Sequence, residues 1–160
     1  MTNKPMGIAR ALLLSLFFTV PSQSAAAAEE PFRRGHQLGF SIGLPAGLNA
    51  EYAFDFGKRA VYLSGAYWGM DLYGVQAGMT LERSGTQRKA FSVNLVGGYF
   101  AVRESEGSKL DTWAYGGIEV HLRYRRIFLA PAVTFGGGSL SEGAGHGPVL
   151  LPRLGFTWPL

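Results

Sequence analysis

The chain has 160 residues, enough for one domain, and carries 15 Lys and Arg against 11 acids for a formal net charge of +4. Two of those cations, Lys4 and Arg10, fall in an N-terminal leader; without them 13 cations face 11 acids, and a net +2 is too weak to argue for nucleic acid. Cysteine is absent, which excludes a disulfide framework, cysteine-based zinc sites, a thiol nucleophile and a lipid-modified cysteine anchor. Charged residues make up only 16% of the chain, below the roughly 25% of ordinary globular domains, while aromatics reach 13% and Gly numbers 23. Few charges with many glycines and aromatics suit a wall that faces lipid on one side.

Residues 1–28 have three zones: a positive start, an apolar run at 11–20 (ALLLSLFFTV), and a small-residue stretch ending in Ala26-Ala27-Ala28 before Glu29-Glu30. This pattern predicts a cleavable secretory signal peptide, 1–28, followed by one domain, 29–160. The apolar run is about half the roughly 20 residues that a membrane-spanning helix needs.

Past a polar stretch at 29–35, alternation with a period of two predicts strands. The first, 36–44, has Leu38, Phe40, Ile42 and Leu44 on one face against Gln37, Gly39, Ser41 and Gly43. A Pro45-Ala46-Gly47 turn leads to a second, with Leu48, Ala50, Tyr52, Phe54 and Phe56 opposed to Asn49, Glu51, Ala53 and Asp55. In the third, 60–69, both parities carry apolar groups, and Val61, Leu63 and Tyr67 are assigned outward. The fourth, 71–82, sets Tyr73, Val75, Ala77, Met79 and Leu81 against Gly74, Gln76, Gly78, Thr80 and Glu82. The fifth, 89–102, sets Phe91, Val93, Leu95 and Tyr99 against Ser92, Asn94 and Gly98.

A charged loop at 103–111 precedes a sixth strand, 112–123, with Ile118, Val120 and Leu122 opposite Tyr115, Gly117, Glu119 and His121. The seventh, 126–135, contains Pro131, which has no N–H to donate and predicts a bulge or broken ladder. After a Gly-rich loop at 136–147 comes the last strand. There Leu154, Phe156, Trp158 and Leu160 alternate with Arg153, Gly155, Thr157 and Pro159.

Eight strands with an apolar parity and a parity of Gly, Ser, Asn, Gln and Glu predict an all-β, antiparallel up-and-down barrel that is apolar outside and polar inside. A water-soluble barrel of this size would pack Leu, Ile and Phe inward. The short turns at Gly57, Ser84 and Tyr124 fall at one end, with Lys58, Arg59, Arg83, Arg88, Lys89, Arg123, Arg125 and Arg126 near them. The two longest connections fall at the other end.

On these residues the domain resembles the OmpA/OmpX-type small outer-membrane barrels over its whole length. The most specific element is the last: the pattern of a polar residue, Gly, and two hydrophobic residues at the C-terminus is matched by Arg153, Gly155, Trp158 and Leu160. The resemblance implies an eight-stranded transmembrane barrel in the outer membrane of a Gram-negative bacterium. It also implies recognition by the barrel-assembly machinery, and contact with outer-membrane lipid and lipopolysaccharide. A monomer is expected, with no cofactor.

The inward parity collects Glu51, Asp55, Glu82, Glu119, His121 and Arg153. These could line an ion path. An eight-stranded barrel leaves just enough room for side chains, so a paired lumenal network is expected instead. Enzyme chemistry is weighed separately. Lipid A deacylase barrels share a His-x-Ser motif, but this chain reads His121-Leu122-Arg123. Palmitoyltransferase barrels carry an N-terminal amphipathic helix, for which 29–35 is too short. His146 with Ser139 and Ser141 would lie in a Gly-rich loop, poorly suited to hold a triad. In the other loop, Arg103, Glu104, Glu106, Lys109 and Asp111 are candidates for surface contacts. The expected function is a non-enzymatic structural or surface-interaction barrel. The alternatives are a lipid A-modifying enzyme and a soluble lipocalin-like ligand-binding barrel.

Overall fold

Alternation and turn chemistry close the chain into an antiparallel barrel. The computed structural model describes residues 32–43, 45–68, 71–103, 109–139 and 148–160. The leader, Leu44, Glu104, Glu106, Ser141 and His146 lie outside them. The strands are β1 (Gly35–Gly43), β2 (Gly47–Asp55), β3 (Ala60–Tyr67), β4 (Leu72–Gly85), β5 (Lys89–Val102), β6 (Asp111–Tyr124), β7 (Ile127–Leu129), β8 (Ala132–Gly137), β9 (Val149–Leu151) and β10 (Arg153–Pro159). Sequential neighbours pair from β1 to β7, β8 pairs with β6 and β9, β10 pairs with β7, and β1 closes on β10 from Gln37↔Pro159 to Gly43↔Arg153.

The ten segments make eight staves, because two staves are interrupted at prolines. Pro131 separates β7 from β8, yet the register with β6 is unchanged across the gap: Leu122↔Leu129 on one side, Glu119↔Ala132 on the other. The interruption is a broken ladder and not a bulge. Pro152 separates β9 from β10 in the same way, since neither ring nitrogen can donate. Backbone bonds persist beside the gaps: Val120 N donates to the Pro131 carbonyl at 2.9 Å, and Ala130 N to the Arg153 carbonyl at 2.7 Å.

Three tight turns share one end of the barrel with the entry to β1. Phe56 N–Arg59 O at 2.8 Å and Thr86 N–Lys89 O at 2.6 Å close the first two. Arg125 closes the third, in the left-handed region at φ 56°. At the opposite, loop end, fully buried Asn49 locks the β1–β2 turn. Its amide donates to the carbonyls of Gly43 and Gly47, at 3.1 Å each, and accepts from Ala46 N at 3.2 Å.

The facing of the wall follows the expected parity. Phe40, Val75, Leu95 and Leu129 are 53%, 45%, 49% and 44% exposed, whereas Glu51 and Gln76 are buried at 7% and 3%. Val61, Leu63 and Tyr67 of β3 are also exposed, which resolves the strand whose two faces looked alike. A lipocalin-like apolar chamber is therefore not what this barrel encloses. One inward assignment is corrected. Between Thr80 and Glu82 the β4–β5 register slips by one, from Thr80↔Asn94 to Glu82↔Val93. Leu81 is the extra residue of a β-bulge, which exchanges the faces beyond it. Glu82 is exposed as a result, and Arg83 takes the lumenal side.

The loop half of the lumen is filled by side chains of which the alternation placed only Tyr115 inward. Val96, Trp113, Tyr115, Ala132 and Leu151 form a buried cluster, with Tyr62 and Phe100 packed against it. Trp113 stacks on Tyr115 at 4.8 Å between ring centroids and meets Phe100 edge-on at 5.5 Å. Glycines make the room: a Cβ at Gly98 would lie 2.5 Å from the Tyr115 ring, and one at Gly136 2.7 Å from Trp113.

Candidate functional site

Midway along the lumen three strands deliver charge to one point. Inward parity brings Glu51 from β2, Glu119 from β6 and Arg153 from β10, and the last two are only 1% and 3% exposed. Arg153 donates through Nη1 to Glu51 Oε1 at 2.8 Å and through Nη2 to Glu119 Oε2 at 2.9 Å. Its guanidinium carbon lies 4.8 Å from the Tyr62 ring centroid and 5.5 Å from that of Phe128, within cation–π range.

Isolated charges at this depth would cost several kcal/mol each, so the neighbours matter. Glu119 accepts from Tyr62 Oη at 2.8 Å, Asn94 Nδ2 at 3.0 Å and Gln76 Nε2 at 3.3 Å. Gln76 also donates to Tyr62 Oη at 2.9 Å and accepts from Tyr115 Oη at 2.8 Å, which ties the ionic centre to the aromatic plug. Ser41 Oγ donates to Glu51. The network thus braces β1 to β6 and β10 across the lumen. Tyr62→Phe removes the hydroxyl that donates to the buried Glu119 carboxylate and accepts from Gln76, and is expected to cost about 1.5–3 kcal/mol. Urea unfolding midpoints in detergent check this.

A second cluster lies nearer the turn end. Arg83 Nη1 meets Asp55 Oδ1 at 2.5 Å and Gly57 O at 3.2 Å, while Gln37 donates to Asp55 and accepts from Arg123 Nη1 at 3.3 Å. In the lumen Arg83, Arg123 and Arg153 therefore face Glu51, Asp55 and Glu119, three charges of each sign. Between the clusters a cavity of about 50 Å³ is lined by Tyr62, Thr80, Asn94, His121 and Arg123 among others. That is room for a few waters.

Of the residues expected inward, Glu51, Asp55, Glu119 and Arg153 meet in these clusters, and Glu82 does not. His121 borders the cavity: its Nδ1 lies 3.8 Å from Glu119 Oε1 and its ring 4.6 Å from Phe128. Ser92 is opposite His121 in register, and both line the cavity, but no hydrogen bond joins them. A nucleophile and its base need about 2.6–3.2 Å. Ser139 Oγ accepts from Thr112 N at 2.8 Å, while Ser141 and His146 lie outside the described residues. Among the described residues no group of three or more His, Asp or Glu could hold a metal ion.

Of the terminal set, Arg153 is the hub of the ionic centre, and Gly155 lies under the Phe128 ring. Trp158 sits beside Phe40 and Phe156 at 5.7 and 5.8 Å, and Leu160 N donates to His36 O at 2.9 Å. In the loop, Arg103 Nη1 stands 4.0 Å from Asp71; Lys109 is exposed, and Asp111 begins β6. Sequence reasoning missed Tyr62, Arg83 and Arg123 as lumenal. Arg123 shares its parity with Glu119 and His121, a signal that was legible; Arg83 depended on the bulge. Comparison with protein-family models, curated proteins and solved structures finds no match to this chain.

Proposed function

We propose that the chain is an integral outer-membrane β-barrel protein of a Gram-negative bacterium, exported by its leader. Its role would be structural or surface-interacting, and not enzymatic. The observation that carries this reading is the inverted barrel. The outward parity is apolar and solvent-exposed nearly everywhere, and Glu51, Asp55, Arg83, Glu119, Arg123 and Arg153 of the strands are folded inside. In water such a surface would aggregate; in hydrocarbon it is the stable arrangement, because a closed barrel leaves no backbone edge unpaired.

Aromatic belts at both ends support it. Tyr67, Tyr73 and Tyr99 neighbour one another near the loop end, with ring centroids 6.5 and 6.4 Å apart. His36, Phe54, Phe56, Tyr124 and Trp158 sit near the turn end. Aromatic girdles of this kind mark the two interfaces of membrane barrels. The paired lumenal charges and the aromatic plug favour a load-bearing wall over a conducting pore. Among the described residues His121 has no hydrogen-bonded serine, which favours the non-enzymatic reading over a deacylase-like one.

Migration on denaturing gels tests the membrane reading. The expected result is a fast-running folded band after refolding in detergent or vesicles, converted to a slower band by boiling. A protein that stays monomeric and folded in detergent-free buffer would overturn it.

A further inference from the structure

Cations are gathered at the turn end in a repeating pattern. The entry to the barrel and each of its three tight turns carry two adjacent cations. These are Arg33-Arg34 before β1, Lys58-Arg59 between β2 and β3, Arg88-Lys89 at the β4–β5 turn, and Arg125-Arg126 between β6 and β7. All eight side chains are exposed. None of them forms a salt bridge among the described residues, because the acids nearby are used elsewhere: Asp55 is held by Arg83 inside the lumen. Among the described residues, the exposed acid on this half is Glu82. Among the described residues of the loop end, Asp71 and Asp111 stand against Arg103 and Lys109.

The pairs are spread around the rim and do not form one concave face. They border the outward apolar belt: Lys89 Nζ and Arg125 Cζ each lie 5.6 Å from the Tyr124 ring centroid, and Phe54 and Phe56 are close in sequence to Lys58-Arg59. A ring of unpaired cations at the edge of an apolar belt matches a layer of negative charge lying just outside hydrocarbon. A nucleic acid or an acidic protein would instead need the cations on one face.

We infer that this ring is a headgroup collar: the four dibasic pairs bind the phosphates of anionic phospholipids in the leaflet at the turn end, and so fix the barrel's depth and orientation. The inference rests on the membrane reading above. Cationic residues at a surface attract such lipids additively and in a salt-dependent way.

The tryptophans provide the test. Trp158 faces outward near the turn end, Trp68 is exposed near the loop end, and Trp113 is buried in the plug. The protein is refolded into phosphatidylcholine vesicles containing a minor fraction of phosphatidylglycerol, with bromine on the acyl chains of one lipid or the other, and tryptophan quenching is read. The W68F variant reports the turn end; W158F reports the loop end.

In W68F, brominated phosphatidylglycerol is expected to quench as though enriched about three- to five-fold over its bulk fraction. That enrichment should fall toward unity in high salt, and when K58Q, R59Q, R125Q and R126Q are added to a barrel that still shows the folded gel band. In W158F no enrichment is expected. Quenching by both lipids in proportion to their bulk fractions would overturn the collar and leave the membrane reading intact. No quenching by either lipid would overturn the membrane reading itself. Proportional quenching together with salt-sensitive co-sedimentation of heparin would assign the ring to a soluble polyanion and overturn the collar.

Discussion

Replacing Arg153 with Met is expected to destabilise the barrel by about 3–5 kcal/mol, the largest effect of any single lumenal side-chain change. The guanidinium is the shared partner of Glu51 and Glu119 and lies against the faces of Tyr62 and Phe128. Its removal leaves two carboxylates in a space that holds only a few waters, on strands the ion pairs had joined. The expected result is a large fall in the urea midpoint, with the folded band appearing at a lower yield. The companion variant R153M/E51Q/E119Q removes all three charges and keeps an amide where Tyr62 and Asn94 donate. It should recover most of the loss, because the cost lies in the unpaired charges and not in the lost ion pairs themselves. If the triple variant is as unstable as R153M, the cost is one of shape and the electrostatic explanation is wrong.

A Val at Gly155 is expected to prevent closure of the barrel. A Cβ there would stand 2.3 Å from Phe128 Cζ and 2.6 Å from the carbonyl oxygen of Phe40, which belongs to the strand across the closing seam. The ring could turn aside, but the backbone of β1 can retreat only by opening the β1–β10 ladder at Ser41↔Gly155. Overpacking of this kind costs about 1–3 kcal/mol where the surroundings can yield, and more where the contact is backbone. The place where the variant fails is informative. Refolding into detergent uses no assembly machinery, so a packing role for Gly155 requires G155V to fail there too. Normal refolding in detergent with failure in cells would make Gly155 a recognition residue alone.

The facing of the wall was legible because a strand has a period of two and one face must match its solvent. Leu38, Phe40 and Ile42 against Gln37, Gly39 and Ser41 leave little choice. Three things were hidden, each for a physical reason. A bulge adds one residue without a mark in the alternation: Leu81 continues the apolar parity of Ala77 and Met79, and so Glu82 and Arg83 exchange sides unannounced.

The plug was hidden because Val96, Phe100 and Trp113 lie where both parities are apolar, and alternation carries no information when both faces read alike. The pairing of the lumenal charges was hidden because it joins residues as far apart as Glu51 and Arg153, which only barrel closure brings to 2.8 Å. Pro131 did announce its interruption; Pro152 does the same at the next stave, between Val149–Leu151 and Arg153–Pro159, and was passed over because the alternation after it was so clean.

The chain has no cysteine, so a single introduced thiol can report which medium touches each face. Nitroxide labels on V75C and L95C, outward on β4 and β5, are compared in refolded vesicles with one on Q76C, which points into the lumen beside Tyr62. Outward labels in hydrocarbon should relax strongly with oxygen and hardly at all with a water-soluble nickel chelate. Equal or greater relaxation of the V75C and L95C labels by the chelate would mean that water bathes the apolar face, and that these strands do not cross a bilayer.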